Sequence, residues 1–126
     1  MLDFSNSKIL IVGDVMLDKY YFGKVDRISP EAPVPIVNIQ KEESRLGGAS
    51  NVANNIVSLG GHSLLCGVIG HDLFGKEIER ISRHKNIDTF LLKTSSPTIT
   101  KARIIGGKQQ IVRVDYEDKS VLNADN

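Results

Sequence analysis

The run Lys8-Ile9-Leu10-Ile11-Val12, closed by Gly13, constrains the fold more than any other stretch of the chain. Ile, Leu and Val follow one another without polar alternation, so the segment reads as a strand buried on both faces, the kind found in parallel sheets. Leu64-Leu65-Cys66-Gly67-Val68-Ile69 repeats the pattern and reads as a second buried strand. Between them, Val52, Ile56 and Leu59 recur at helical spacing and stop at Gly60-Gly61, residues suited to a helix C-cap. After the second strand, Asp72 fits an N-cap for a helix carrying Phe74, Ile78 and Ile81 on one face, with Arg80, Arg83, His84 and Lys85 in its last turns. Strand, helix, strand, helix in this order predicts an open, largely parallel α/β sheet.

Two segments of β character interrupt that alternation. Tyr20–Gly23 and Val34–Ile39 look extended, and the prolines Pro30, Pro33 and Pro35 between and beside them forbid a helix and predict a rigid loop or an edge strand. Thr98–Ile105 and Gln109–Tyr116 flank Gly106-Gly107-Lys108 and predict a hairpin. Lys101 and Arg103 share one face of the first arm, and Arg113 and Asp115 share one face of the second. Which of these faces coincide depends on a loop length the sequence leaves open by one residue. The early and late excursions together predict a small accessory sheet.

Composition narrows the ligand. Sixteen Lys and Arg against fifteen Asp and Glu leave a net charge of +1, too little for the broad electrostatic footprint of a nucleic-acid-binding protein. No stretch approaches the roughly 18 apolar residues of a membrane span, and the N-terminus lacks the pattern of a secretory signal. The single cysteine, Cys66, lies in an apolar run and reads as a small buried hydrophobe in a reducing, cytoplasmic setting. His62, His71 and His84 have no metal-ligand spacing, so no metal site is expected. A small polar ligand is the class left open.

Three groups of residues have a chemical reading. Gly47-Gly48-Ala49-Ser50-Asn51 lets backbone approach a ligand without an intervening Cβ, aims helix N-terminal N–H groups at it, and adds a donor and an acceptor from Asn51. The same residues also make an ordinary tight turn with an N-cap. Asp14 and Asp18 fall at the carboxyl end of the first strand, where open α/β sheets bind ligands, and a carboxylate there accepts hydrogen bonds from two hydroxyls; the plainer reading is a capped turn and a solvated side chain. Lys101, Arg103 and Arg113 form either a phosphate-binding surface or a solvated sheet face.

Taken together, these segments resemble a known family. Gly47-Gly48-Ala49-Ser50-Asn51-Val52-Ala53 with Gly60 and Gly70 is similar to the first signature of the PfkB carbohydrate kinases, and Gly70-His71-Asp72-Leu73-Phe74-Gly75 continues it. Gly13-Asp14-Val15-Met16-Leu17-Asp18 looks like that family's first strand and substrate aspartate. More narrowly, Arg27-Ile28-Ser29-Pro30-Glu31-Ala32-Pro33-Val34-Pro35, Pro97-Thr98-Ile99-Thr100-Lys101 and Gln109-Gln110-Ile111-Val112-Arg113-Val114-Asp115 resemble the D-glycero-β-D-manno-heptose 7-phosphate kinases. The likeness spans residues 8 to 118.

The resemblance implies a ribokinase-like three-layer α/β/α sandwich, of which this chain is the N-terminal part, with a small β-sheet lid formed by residues of about 19–40 and 97–117. It implies an enzyme that moves the γ-phosphate of ATP, with Mg2+, to the anomeric hydroxyl of heptose 7-phosphate on the way to ADP-heptose and lipopolysaccharide. It places Asp14, Asp18, Gly47, Gly48 and Asn51 around sugar hydroxyls, and Lys101 and Arg113, with Arg27 as a weaker candidate, near the substrate phosphate. A homodimer through the lids is the implied assembly. Another PfkB sugar kinase, or a non-catalytic sugar-binding or dimerising module, are the alternatives. The family's second signature, which carries the catalytic aspartate and most ATP contacts, has no match before Asn126, so no catalytic residue is assigned. The expectation is therefore that the chain alone, given ATP, magnesium and heptose 7-phosphate, releases no ADP; measurable release would refute it.

Overall fold

A computed structural model of the chain describes residues 2–119. The elements, in order, are β1 (Lys8–Val12), β2 (Val15–Ile28), β3 (Pro35–Gly47), α1 (Gly48–Ser58), β4 (His62–Gly70), α2 (Leu73–His84), β5 (Asp88–Thr94), β6 (Ile99–Gly106) and β7 (Gln109–Tyr116). They form two sheets: a three-stranded parallel sheet ordered β1-β4-β5, and a four-stranded sheet ordered β3-β2-β6-β7. In the second, β2 runs antiparallel to β3 and parallel to β6, and β7 returns antiparallel to β6. The predicted α/β alternation and the accessory sheet are both present.

Both helices lie on one face of the parallel sheet. Ile11 of β1 and Leu65 and Ile69 of β4 meet Ala53 of α1, Ile78 and Ile81 of α2, and Ile87 in a single core, with Ile56, Val57 and Phe74 packed around it. The opposite face carries Leu10, Val12, Leu64, Phe90 and Leu92, all exposed; Val12 is 73% accessible. This corrects the expectation of a fully buried first strand: of β1 only Ile11 is buried. The described residues thus build two of the three expected layers. Strand β5 was not predicted. Its Phe90-Leu91-Leu92 core is short and flanked by Thr89 and Lys93, a pattern that periodicity does not separate from a loop.

The accessory sheet is rooted in the same core. Val15 and Leu17 at the start of β2 and Leu46 near the end of β3 belong to it, and burial fades along β2 toward Ile28, which is exposed. β3 is an edge strand with Pro35 at its first position, and Pro30 and Pro33 occupy the loop closed by a 2.8 Å hydrogen bond from Ser29 N to Val34 O. Gly107, at φ 63°, turns the β6–β7 hairpin.

Asp72 joins the two parts. As N-cap of α2 its Oδ1 accepts from Gly75 N at 2.8 Å and from Thr98 Oγ1 at 2.7 Å, while Oδ2 accepts from Thr98 N at 2.8 Å. Thr98 Oγ1 in turn accepts from Gly70 N at 2.8 Å. One carboxylate therefore fixes the end of β4, the start of α2 and the residue that leads into β6. Burial pushes the Asp72 carboxyl up, but the bonds from Thr98 and Gly75 outweigh it and hold the group below its usual range. A depressed folded-state pKa means that this stabilisation is present above the unfolded value of 3.8 and lost as pH falls through the lower folded value. Asp72→Ala is expected to lower stability by about 1–3 kcal/mol at neutral pH, read by urea unfolding, with a difference from wild type that shrinks in acid below that window; a pH-independent difference would contradict the assignment.

Candidate functional site

The site is built where β3 passes into α1 without a loop. Gly47 is the last residue of β3 and the N-cap of α1, and Gly48, at φ 54°, is the first helical residue. The switch is held from outside: Ala49 N donates to Asp14 O at 2.9 Å, and Ser50 Oγ donates to Gly47 O at 2.6 Å and lies 3.2 Å from Met16 O. Glycine is required at Gly48, and at Gly47 a side chain would displace the neighbouring Asp18 and Met16 side chains. A Cβ at Gly48 would stand 2.5 Å from Asp14 O on a backbone that L side chains rarely adopt, and one at Gly47 would stand 2.8 Å from Asp18 Oδ2. The bare Gly47 peptide is thus what gives the Asp18 carboxylate its place.

Asp18 lies within β2, not in the turn after β1, and only Asp14 occupies that turn. Asp18 and Asn51 line one cavity of about 410 Å³ together with Arg45, Asn54 and Lys85. Asp14 lines another, of about 350 Å³, with Gly67, Thr94 and Ser96. Asp14 therefore meets the glycine junction through its carbonyl on Ala49 and lines the second cleft, whereas the resemblance implied the pocket shared by Asp18 and Asn51.

The registers settle which faces coincide. Asp18 pairs with Arg45 on β3 and Lys101 on β6, and Lys101 pairs with Asp115 on β7; Tyr20 pairs with Glu43 and Arg103, and Arg103 with Arg113. All of these project from one face. The candidates Lys101 and Arg113 are thus on the same surface as Asp18. Arg27, near the exposed end of β2, lines a separate cleft with Asp26 and Asn38.

Three residues that sequence reasoning left out or left unassigned stand in the middle of this face. Arg103 Nη1 contacts Asp18 Oδ1 at 2.8 Å. The Tyr20 ring carries the Arg103 guanidinium at 5.3 Å and the Arg45 guanidinium at 4.7 Å, both within cation–π range. The only sequence signal for this trio was the spacing Asp18–Tyr20 on one strand; the cross-strand partners needed the register. The Asp18 carboxylate holds Arg103 firmly protonated, above its usual value. Among the described residues no three His, Cys, Asp or Glu side chains converge on a metal position.

The bare-glycine switch, the oriented Asp18 carboxylate and Asn51 thus lie together on an α/β core with a β excursion. The pfkB family carbohydrate kinase model matches residues 6–125, and the chain belongs to that family. It is 51% identical over 114 residues to a D-beta-D-heptose 7-phosphate kinase of Bordetella bronchiseptica, covering 90% of this chain and 36% of that one. It is 53% identical over 120 residues to the bifunctional protein HldE of Helicobacter pylori strain P12, covering 94% of this chain and 26% of that one. The chain thus spans about a third or less of these relatives' length. Its fold is similar to a carbohydrate kinase from Agrobacterium tumefaciens, with a TM-score of 0.70 at 18% identity over 86% of this chain and 34% of that one. It is also similar to the ribokinase of Giardia lamblia, with a TM-score of 0.63 at 24% identity over 87% and 36% of the two chains. These two establish the ribokinase-like fold.

Gly47→Ala is expected to displace the Asp18 carboxylate, and Gly48→Ala to strain the switch by about 1–3 kcal/mol, measured as a fall in the urea midpoint. Gly60→Ala, at φ 91° but with open space around the added methyl, is expected to cost less than Gly48→Ala; the reverse order would contradict the steric account.

Proposed function

We propose that this chain is the sugar-binding part of an ATP-dependent heptose 7-phosphate kinase, and that the whole protein phosphorylates the anomeric hydroxyl of D-glycero-β-D-manno-heptose 7-phosphate for ADP-heptose and lipopolysaccharide formation. The observation that carries this reading is the cavity shared by Asp18 and Asn51 beside the Gly47-Gly48 switch. A carboxylate with acceptor lone pairs and an amide with both donor and acceptor suit neighbouring hydroxyls of a polyol. The name of the Bordetella bronchiseptica relative, at 51% identity, supports heptose 7-phosphate as that polyol.

Lys101 is the better of the two candidates for the substrate phosphate. Of the half-buried basic residues among those described, Lys19 pairs with Glu42 and Arg103 with Asp18, while Lys101 makes no ion pair. Arg113 is exposed and already bonded to Asp115 at 2.9 Å. A half-buried ammonium left without an anion by the protein suits one supplied by the ligand. Residues of the accessory sheet serve as a lid over the sugar, excluding water from the transfer. ATP and magnesium are the donor and its counterion, and their chemistry is the delivery of a phosphoryl group to the hydroxyl held here.

The lid also supports a homodimer. The sheet's other face, opposite Asp18, carries Tyr21, Val25, Ile39, Val112, Val114 and Tyr116, and of these Val112 is 45% exposed and Tyr116 43%. An apolar sheet face of this kind suits a second copy of itself. Cytoplasmic residence accords with an ATP-dependent reaction, and no helix among the described residues is long and apolar enough to cross a membrane.

Titration calorimetry with heptose 7-phosphate and with heptose separates the roles. Asp18→Asn is expected to weaken both ligands by about tenfold or more. Lys101→Met is expected to weaken the phosphorylated sugar by a similar factor and leave the unphosphorylated one nearly unchanged. Equal loss for both sugars in Lys101→Met would remove Lys101 from the phosphate, and no loss in Asp18→Asn would remove the acceptor site itself.

A further inference from the structure

The geometry points to Arg103 as a positioning residue for the acceptor carboxylate, an inference that rests on the sugar-site reading above and deepens it. The Cα partner of Arg103 across the β2–β6 pairing is Tyr20, whereas the Cα partner of Asp18 is Lys101. The Arg103 side chain nevertheless reaches diagonally past Lys101 to place Nη1 at 2.8 Å from Asp18 Oδ1. Both side chains are largely withdrawn from solvent, at 22% and 24% accessibility, where an ion pair is less screened than at a free surface. The other carboxylate oxygen, Oδ2, fills the space that a Cβ at Gly47 would occupy. Asp18 is therefore held at Oδ1 by a guanidinium, while Oδ2 occupies room left by the missing side chain of Gly47.

Arg103 is itself held. Its guanidinium lies over the Tyr20 ring at 5.3 Å, and Nη1 also approaches Lys101 O at 3.4 Å. Tyr20 is stacked on Phe22 at 6.1 Å, so the ring is not free to turn away. A planar, delocalised cation suits this arrangement, because its flat face lies along the ring while a fixed N–H fork directs a donor at the carboxylate. The pair is not required to join β6 to β2, since the strands are hydrogen-bonded in continuous register from Met16↔Ile99 to Gly23↔Gly106. Its consequence is local: it stops the carboxylate from rotating and keeps its acceptor lone pairs aimed into the cavity shared with Asn51.

The test is a double-mutant cycle on the 126-residue chain with heptose 7-phosphate as the probe, read by calorimetry. Arg103→Gln is expected to weaken binding about tenfold, with Arg103→Lys in between. The combined Asp18→Asn/Arg103→Gln variant is expected to bind no more weakly than Asp18→Asn alone, because a residue that acts through Asp18 has nothing left to position. Additive losses, or wild-type affinity in Arg103→Gln, would overturn the inference. A second readout needs no ligand: the Arg103 Nε–Hε resonance in 15N spectra is expected to be sharp in the wild type and to broaden or shift in Asp18→Asn. If the wild type binds no sugar phosphate, the functional reading falls, and this resonance still decides the clamp, with no change in Asp18→Asn overturning it.

Discussion

The structure depends on a single junction, the direct passage of β3 into α1 at Gly47 and Gly48. Two contacts tie that junction to the turn and strand that follow β1, Ala49 N to Asp14 O and Ser50 Oγ to Met16 O, and Ser50 Oγ also closes the junction on Gly47 O. Ser50 is fully buried, so these bonds are shielded from competing water. The parallel sheet, the helical layer and the accessory sheet all converge there. The same junction leaves room at Gly47 for the Asp18 carboxylate and sets Asn51 in the first turn of α1, so the interaction that organises the fold also places the residues of the candidate site.

A second clasp, at Asp72, does for the late strands what the glycine junction does for the early ones. It fixes where β6 departs from the core, and through the β2–β6 pairing it fixes the row that puts Lys101, Arg103 and Arg113 on Asp18's face. The two clasps meet across the accessory sheet. The accessory sheet has its roots in the core and an increasingly exposed far end, which supports the lid proposed above. Each sheet keeps one apolar face open, Leu10, Val12, Leu64 and Phe90 on the parallel sheet and Val112, Val114 and Tyr116 on the other. Exposed apolar side chains gathered on one face suit burial against further structure, which is the ground for the second copy proposed above.

Much of this was legible in the sequence because it rests on local chemistry. The apolar runs, the paired glycines, the Asp72 cap and the Gly107 hairpin each carry their own steric or hydrogen-bonding reason, and the structure contains all of them. What was not legible depended on register or on layering. That Asp18 sits inside β2 was hidden because polar and aromatic residues occupy both faces there, Lys19 and Tyr21 alternating with Asp18 and Tyr20, which removes the period-2 signal. That Arg103 reaches Asp18 follows only from the β2–β6 register, and the irregularity between Ile104 and Ile105 shows why counting from the hairpin loop was insufficient. The exposed face of β1 could not be read because composition records how apolar a strand is and not which side is covered.

The central claim is that a polyol phosphate is gripped between bare glycine peptide and the Asp18 carboxylate. Amide chemical-shift mapping during titration with heptose 7-phosphate tests it directly. The account predicts that the largest changes fall on Asp18, Gly47, Gly48 and Asn51, with Lys101 next. Changes concentrated instead around Leu73, Phe74 and Tyr116, which line a cleft of about 850 Å³ on the sheet's other side, would contradict it.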